Sequence, residues 1–143
     1  MKRQPSVTEA TDQFEITAHP QNASVARERV LKVAKASEFP PDALGDIEVA
    51  VGEAVTNAIL YGSPTATSRI VISCGFSHSG RVFHVEVRDQ GRGFDPSHIR
   101  NDDNMDALGG RGIRLMRALM DSVLMEYHGD GMAVCLSKKV DRK

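Results

Sequence analysis

The sequence predicts an α+β fold, in which two long helices precede most of the strands. Residues 22–37 and 42–61 repeat apolar positions at intervals of three and four, as amphipathic helices do. Shorter stretches alternate apolar and polar residues, which is typical of half-buried strands. Because no linker or internal repeat separates these signals, we expect one domain over residues 13–140, preceded by a flexible N-terminus of residues 1–12.

The two long helices have clear start and stop signals. Asn22 is suited to cap the first helix, and Phe39–Asp42 breaks the chain before the second. Gly62–Pro64 ends the second helix, because glycine disfavours helix and proline lacks an amide donor. The predicted buried stripe of the first helix is Ala23, Ala26, Val30, Val33 and Ala34. That of the second helix is Leu44, Ile47, Val51, Ala54, Val55 and Ala58.

Five strands are predicted from alternating hydrophobicity. The second and third are joined at Ser77–Gly80, and the last two at Gly129–Gly131, which indicates two hairpins. The predicted strands cover residues 14–19, 70–76, 83–89, 123–127 and 132–136.

A polar, glycine-rich stretch from Gln90 to Gly110 separates the third strand from a helix predicted at 113–121. A loop this long inside a small domain usually has a function. We therefore expect residues 94–108 to form a lid that is mobile without ligand and orders when ligand binds.

The charge argues against nucleic acid as a partner, and the lack of a long apolar stretch argues against a membrane. Lys and Arg total 18 against 19 for Asp and Glu, and the net charge is −1. The basic residues Lys138, Lys139, Arg142 and Lys143 are interpreted as a solvated terminus. No apolar stretch is long enough to span a membrane or to act as a secretory signal, so we expect a soluble, cytoplasmic protein.

Neither the cysteines nor the histidines predict a metal site. Cys74 and Cys135 each lie in a predicted strand, without a second cysteine nearby. We therefore expect buried free thiols. The five histidines are scattered and form no ligand spacing.

The second helix carries a polar pair at Glu53 and Asn57. Residues four apart on a helix are neighbours on its surface. A carboxylate beside a carboxamide can serve a water, a hydroxyl or a hydrated metal ion. An exposed polar face, common on amphipathic helices, is the alternative interpretation.

Asp89 continues the apolar face of the third strand, and a glycine cluster, Gly91 and Gly93, follows it. A carboxylate on an apolar face is costly unless something partners it. Two glycines separated by one residue allow the backbone to approach a flat ligand closely, because no Cβ intervenes. Turn glycines are the alternative.

A second glycine cluster opens the last helix and comprises Gly109, Gly110, Arg111 and Gly112, followed by Ile113. Glycines at a helix N-terminus leave amides exposed where a phosphate can bind. Neither cluster matches the mononucleotide P-loop or the dinucleotide fingerprint.

Taken together, residues 53–62, 89–95 and 109–113 resemble the N box and the two glycine boxes of the gyrase, histidine-kinase and mismatch-repair (GHKL) ATPase superfamily. Within it, the chain is most similar to the anti-sigma factor serine kinases, over residues 12–140. The resemblance implies the two-layer α/β sandwich of the histidine-kinase-type (Bergerat) fold. This fold has a mixed, mostly antiparallel sheet with helices on one face.

The same resemblance implies roles for individual residues. Glu53 would be the general base, and Asn57 would hold Mg²⁺. Asp89 would accept a hydrogen bond from the adenine amino group, in a pocket shaped by Gly91 and Gly93. The ATP phosphates would lie against Gly109, Gly110, Arg111, Gly112 and Ile113.

The implied activity is that of an ATP- and Mg²⁺-dependent protein serine/threonine kinase that acts as an anti-sigma factor. It would phosphorylate a small anti-sigma-factor antagonist protein and sequester a sigma factor, without contacting nucleic acid directly. Arg27, on the first helix, is implied to contact both partners, with a plain solvated face as the alternative. A homodimer is also implied, because the similar kinases pair through their sheets.

Two departures from the family pattern accompany these expectations. Tyr61 stands where many members carry histidine, and Arg111 lies between the glycines of the second cluster. The rival interpretation of function is a nucleotide-gated regulatory binding module without kinase activity. The intact Glu53 favours the kinase.

Overall fold

The computed structural model describes residues 10–90, 110–127 and 131–140, and its architecture is α+β. The elements are β1 Ala10–Thr17, α1 Asn22–Ala34, α2 Pro41–Tyr61, β2 Arg69–Ser77, β3 Val82–Asp89, α3 Gly110–Leu119, β4 Ser122–Tyr127 and β5 Met132–Lys139. The strands form one sheet in the order β1-β2-β3-β5-β4. Every pairing between these strands is antiparallel, whereas the resemblance implied a mixed sheet.

The core lies between the helices and one face of this sheet. Along β3, buried and half-buried residues alternate strictly, so one face of the strand packs inward and the other stays open. Helix α2 crosses the inward face and is fully buried at Ile47, Ala50, Val51, Ala54 and Val55. This confirms the two-layer arrangement and the apolar stripe predicted for the second helix.

Strand β1 begins at Ala10, earlier than the predicted start at Phe14. It therefore includes the last residues of the segment predicted to be flexible. Its polar residue Asp12 lies beside β2, opposite Cys74, and pairs with Arg29 on α1. Alternation of apolar residues missed this start, because a charged partner on a helix replaces the apolar contact.

Helix α1 begins at Asn22, but Asn22 does not cap it. The residue preceding the helix is Gln21, which makes no capping side-chain hydrogen bond. The side-chain nitrogen Nδ2 of Asn22 instead donates hydrogen bonds to the backbone carbonyl oxygen and the hydroxyl oxygen of Thr17, at 3.1 and 3.0 Å. The side chain therefore ties the start of α1 to the end of β1. The helix ends at Ala34, three residues before the predicted end.

Lys138 does not belong to a solvated terminus. It lies in β5, where its Nζ donates to the carbonyl oxygen of Leu119 at 2.6 Å and lies 3.7 Å from Asp46. A cation near a helix C-terminus meets the negative end of the helix dipole. Lys138 thus joins β5 to α3.

Both cysteines are buried thiols that are not joined in a disulfide, as predicted. Burial raises the pKa of the Cys74 thiol to about 12, so the thiol is protonated at neutral pH. Among the residues that the structure describes, no helix is long and apolar enough to cross a membrane.

Candidate active site

Two segments that the sequence analysis singled out meet where α3 begins against α2. A Cβ built on Gly112 would lie 2.7 Å from Glu53 Oε1. It would lie 3.4 and 3.5 Å from the side-chain nitrogen and oxygen of Asn57. Only glycine therefore allows the backbone of α3 to come this close to the polar pair. The carboxylate, the carboxamide and the start of α3 form one cluster.

Glu53 and Asn57 differ in exposure, although they are one helical turn apart. Asn57 is 8% exposed, whereas Glu53 is half-buried at the edge of the cluster. The carboxylate is thus the member of the pair that a molecule arriving from solvent meets first. A general base needs this access to the proton that it removes.

Glu53 opens onto a depression of about 300 Å³ between α1 and α2. Its lining consists of Arg27, Glu48, Val49, Gly52, Glu53 and Thr56. Arg27 Nε lies 3.7 Å from Glu48 Oε2, and both side chains are partly exposed. The structure therefore brings Arg27 and Glu53, 26 positions apart in sequence, to the same surface. Residue spacing gave no indication of this proximity, because the two residues belong to different helices.

Asp89 is the last residue of β3. It is buried and lies near the C-terminal end of α2. Its carboxylate is on the inward face of the sheet, opposite Ile70, and the residue is 5% exposed. Asp89 Oδ1 accepts a hydrogen bond from the backbone N–H of Met132 at 3.1 Å. The sequence predicted that this carboxylate needs a partner, and the first residue of β5 is one.

Two glycines, one directly after α2 and one directly before β5, lie against Asp89. A Cβ on Gly62 would be 2.0 Å from Asp89 Oδ2, and one on Gly131 would be 2.3 Å from the Asp89 carbonyl oxygen. Residue spacing does not predict the contact of either glycine with Asp89, because the three positions come from separate elements.

The remaining predicted site residues are placed as follows. Gly110 is the first residue of α3, and Arg111 is exposed. The side chain of Ile113 is in the core and 2% exposed, which leaves only its backbone for a phosphate. Gly91, Gly93 and Gly109 lie outside the described residues, as does the predicted lid at 94–108.

A larger depression, of about 790 Å³, lies at the opposite end of α2. It is lined by Phe39, Pro40, Asp42, Ala43, Asp46, Arg81, Asp121, Lys138, Lys139 and Val140. None of the predicted site residues that the structure describes borders it. Size alone therefore does not identify the site in this chain.

The donor atoms of the α2–α3 cluster fit a hydrated Mg²⁺ ion. Glu53 and Asn57 supply a carboxylate and a carboxamide, and Mg²⁺ prefers oxygen ligands and keeps several waters. Within residues 10–90, 110–127 and 131–140, no three His, Cys, Asp or Glu side chains converge as a metal cage. One protein oxygen together with substrate phosphates is a coordination that Mg²⁺ commonly uses.

Comparisons with known proteins agree with this fold. Residues 16–138 match the family model described as histidine kinase-like ATPase domain. The chain is 29% identical over 140 residues to the serine-protein kinase RsbW of Listeria innocua, covering 91% of this chain and 87% of the relative. It is 30% identical over 111 residues to RsbW of Staphylococcus epidermidis, covering 71% and 69%.

Solved structures show the same fold. The RsbU and RsbW domains of Rv1364c from Mycobacterium tuberculosis superpose with a TM-score of 0.67 at 20% identity, covering 93% of this chain and 34% of that one. The histidine kinase domain of EL346 from Erythrobacter litoralis gives 0.57 at 18% identity, covering 94% and 65%. The match to the family model over residues 16–138 shows that the chain belongs to the histidine kinase-like ATPase domain family, and the two sequence relatives described above are RsbW serine-protein kinases.

Proposed function

We propose that the protein is an ATP- and Mg²⁺-dependent protein serine/threonine kinase that acts as an anti-sigma factor. The observation that carries this proposal is the cluster of Glu53, Asn57 and Gly112 in a chain similar to RsbW kinases over nine-tenths of its length. The cluster supplies a partly exposed base, a buried carboxamide and a helix N-terminus, which are the parts that phosphoryl transfer needs.

Each residue has a distinct task in this proposal. Glu53 removes the proton from a serine or threonine hydroxyl of the protein substrate as the hydroxyl oxygen attacks the γ-phosphorus, and the bond from that phosphorus to the bridging oxygen breaks so that ADP leaves. Asn57 holds Mg²⁺, which neutralises charge on the triphosphate when it is bound. The N-terminal backbone of α3, from Gly110 to Gly112, lies where helix amides can meet phosphate oxygens. Asp89 accepts a hydrogen bond from the adenine amino group.

The distances along α2 suit one extended ligand. Glu53 and Tyr61, the last residue of the helix, are eight positions apart, which is roughly 12 Å along the axis. Asn57 lies between them, and the Asp89 carboxylate reaches the end of the helix at Gly62. We therefore propose that the base of ATP lies at the Gly62 end and its γ-phosphate at the Glu53 end.

The proposed protein partners are a small anti-sigma-factor antagonist, which is the phosphorylated substrate, and a sigma factor, which is sequestered. Arg27 is the proposed contact for both, because it borders the same depression as Glu53. A target of this kind places the protein in the cytoplasm. We also propose a homodimer that pairs through its sheets, which light scattering at tens of micromolar protein can test.

The decisive experiment compares the wild type with Glu53→Gln, using γ-labelled ATP and an antagonist protein from the same genome. The amide keeps the shape of the side chain but cannot accept a proton. General bases contribute about 10²- to 10⁴-fold to rate, so we expect phosphoryl transfer to fall by that factor. We expect ADP affinity to be unchanged.

Two other outcomes would change the assignment. Transfer at the wild-type rate by Glu53→Gln would remove Glu53 as the base. Tight ADP binding by a wild type that labels no antagonist, while still capturing it, would favour the rival function of a nucleotide-gated binding module.

A further inference from the structure

We propose that Gly62 and Gly131 position the Asp89 carboxylate, and that through it they determine the preference for adenine. The inference rests on the proposed nucleotide-binding function and extends it to two residues that do not touch the substrate. Its basis is the close approach of α2 and β5 to the two sides of Asp89.

Gly62 is needed for space and not for its backbone conformation. Its φ of −105° is one that any residue adopts. A Cβ at this position, however, would lie 2.0 Å from Asp89 Oδ2, 2.4 Å from the carboxyl carbon and 3.1 Å from Asp89 Cβ. Separations this short between non-bonded atoms are strongly repulsive. Any side chain at position 62 would therefore push the carboxylate away from the end of α2.

Gly131 acts on the other side of the same residue. A Cβ there would lie 2.3 Å from the Asp89 carbonyl oxygen, so β5 can begin this close to β3 only with glycine. The next residue, Met132, donates its N–H to Asp89 Oδ1. The close approach at Gly131 thus brings the amide within hydrogen-bonding distance of the carboxylate.

The two contacts together determine where both carboxylate oxygens lie. The N–H of Met132 fixes the position of Oδ1, and Gly62 leaves room for Oδ2. Because the carboxylate is planar, these two contacts set its orientation. A hydrogen bond weakens steeply when its angle departs from linearity. A carboxylate turned by a new methyl group would therefore lose its bond to the adenine amino group while the phosphate contacts remain.

The test uses the affinity ratio for two ligands that differ at this group. Adenosine diphosphate carries an amino group on carbon 6, whereas inosine diphosphate carries an oxygen there, which repels an acceptor. Isothermal titration calorimetry with Mg²⁺ present gives both dissociation constants for each variant. A loss of folded protein lowers the active fraction for both ligands alike and leaves their ratio unchanged.

We expect the wild type to prefer the adenine ligand by about 10- to 100-fold, the range for a hydrogen bond to a charged group. In Gly62→Ala we expect the ratio to fall towards one. Gly131→Ala should do the same through a shift of β5, and it provides a second route to the answer if one variant folds poorly.

Gly45→Ala is the matched control. Gly45 lies on the same helix, and a Cβ there would meet nothing within 4 Å. Alanine also has the higher helix propensity, so the variant should fold at least as well as the wild type. We expect it to keep the wild-type ratio.

The failure of this inference differs from the failure of the proposed function. A wild type that binds both ligands equally, or neither, would contradict the adenine site itself. If the wild type prefers adenine, Asp89→Asn loses the preference and both glycine variants keep it, then the glycines do not position Asp89.

Discussion

Two aspartates interrupt the apolar inner face of this sheet, one on an edge strand and one at its centre. Asp12 precedes Phe14 and Ile16 on β1, and Asp89 follows Val85 and Val87 on β3. Arg29 donates to the two Asp12 oxygens at 2.7 and 3.0 Å, which is the bidentate geometry of a strong ion pair. Asp89 accepts a hydrogen bond from the backbone N–H of Met132, and Gly62 and Gly131 lie against it.

The ion pair between Asp12 and Arg29 links the edge strand β1 to helix α1. A hydrogen bond from the Arg29 guanidinium holds the pKa of the Asp12 carboxyl below its ordinary value, and the same bond raises the pKa of Arg29. The guanidinium also lies 4.3 Å from the centre of the Phe14 ring, a cation–π contact. The Asp12 carboxylate is thus paired with the Arg29 guanidinium, and the pair holds β1 against α1, so its role is structural.

Asp89 is arranged differently. A backbone amide donates a hydrogen bond to its carboxylate, and a side chain at Gly62 or Gly131 would collide with Asp89. A carboxylate on an apolar face can thus be accommodated in two ways. One uses a charged partner and stabilises the fold, and the other keeps a carboxylate oriented in a narrow space, as a binding site requires.

The largest expected difference between the two aspartates is in nucleotide binding. Asp89→Asn removes the charge and presents a donor to the adenine amino group, so ADP affinity should fall about 10- to 100-fold. Asp12→Asn should leave ADP affinity unchanged. Calorimetry of the two variants beside the wild type gives the answer. Equal affinities for ADP in Asp89→Asn and the wild type would exclude Asp89 from the site.

A smaller difference separates two arginines on α1. Arg27 borders the depression beside Glu53, whereas Arg29 faces β1. Arg27→Glu should slow association with the antagonist about tenfold or more at low salt, since charge complementarity acts mainly on association rate. Arg29→Glu should leave that rate unchanged and lower the thermal midpoint instead.

Surface plasmon resonance at two salt concentrations and thermal unfolding of both variants measure these effects. Because Arg27 lies near Glu53, ADP affinity should be determined for Arg27→Glu as well. We expect it to equal that of the wild type. Normal association by Arg27→Glu would indicate that this side of α1 is a plain solvated face.

The smallest expected effect is the pH dependence of stability at Asp12. Since the folded pKa of this carboxyl lies below its ordinary value of 3.8, the pair stabilises the fold fully at higher pH. That contribution is lost as pH falls through the lowered pKa. Wild type should therefore melt above Asp12→Asn at pH 7, and the gap should close below about pH 3.8. A gap that persists at lower pH would contradict a charge-based role.

The sequence by itself predicted most of the fold. Periods of 3.6 and 2 residues located the three described helices and five strands, because burial of one face imposes these periods wherever packing is amphipathic. Helix α2 ended at Tyr61, where Gly62 and Pro64 predicted its end. Prediction was less accurate at β1 and Asn22, where side-chain pairing across elements decided the ends.

Sequence also singled out Glu53 and Asn57 as neighbours on one helix, Asp89 as a carboxylate on an apolar face, and Gly112 as part of a glycine cluster that opens a helix. Only the tertiary structure decided how these residues meet. It brought Gly112 against Glu53 and Asn57, brought Arg27 to the same surface as Glu53, and gave Gly62 a neighbour in Asp89. Residue spacing describes a single element, whereas the space left for a Cβ depends on the packing of two elements far apart in the chain.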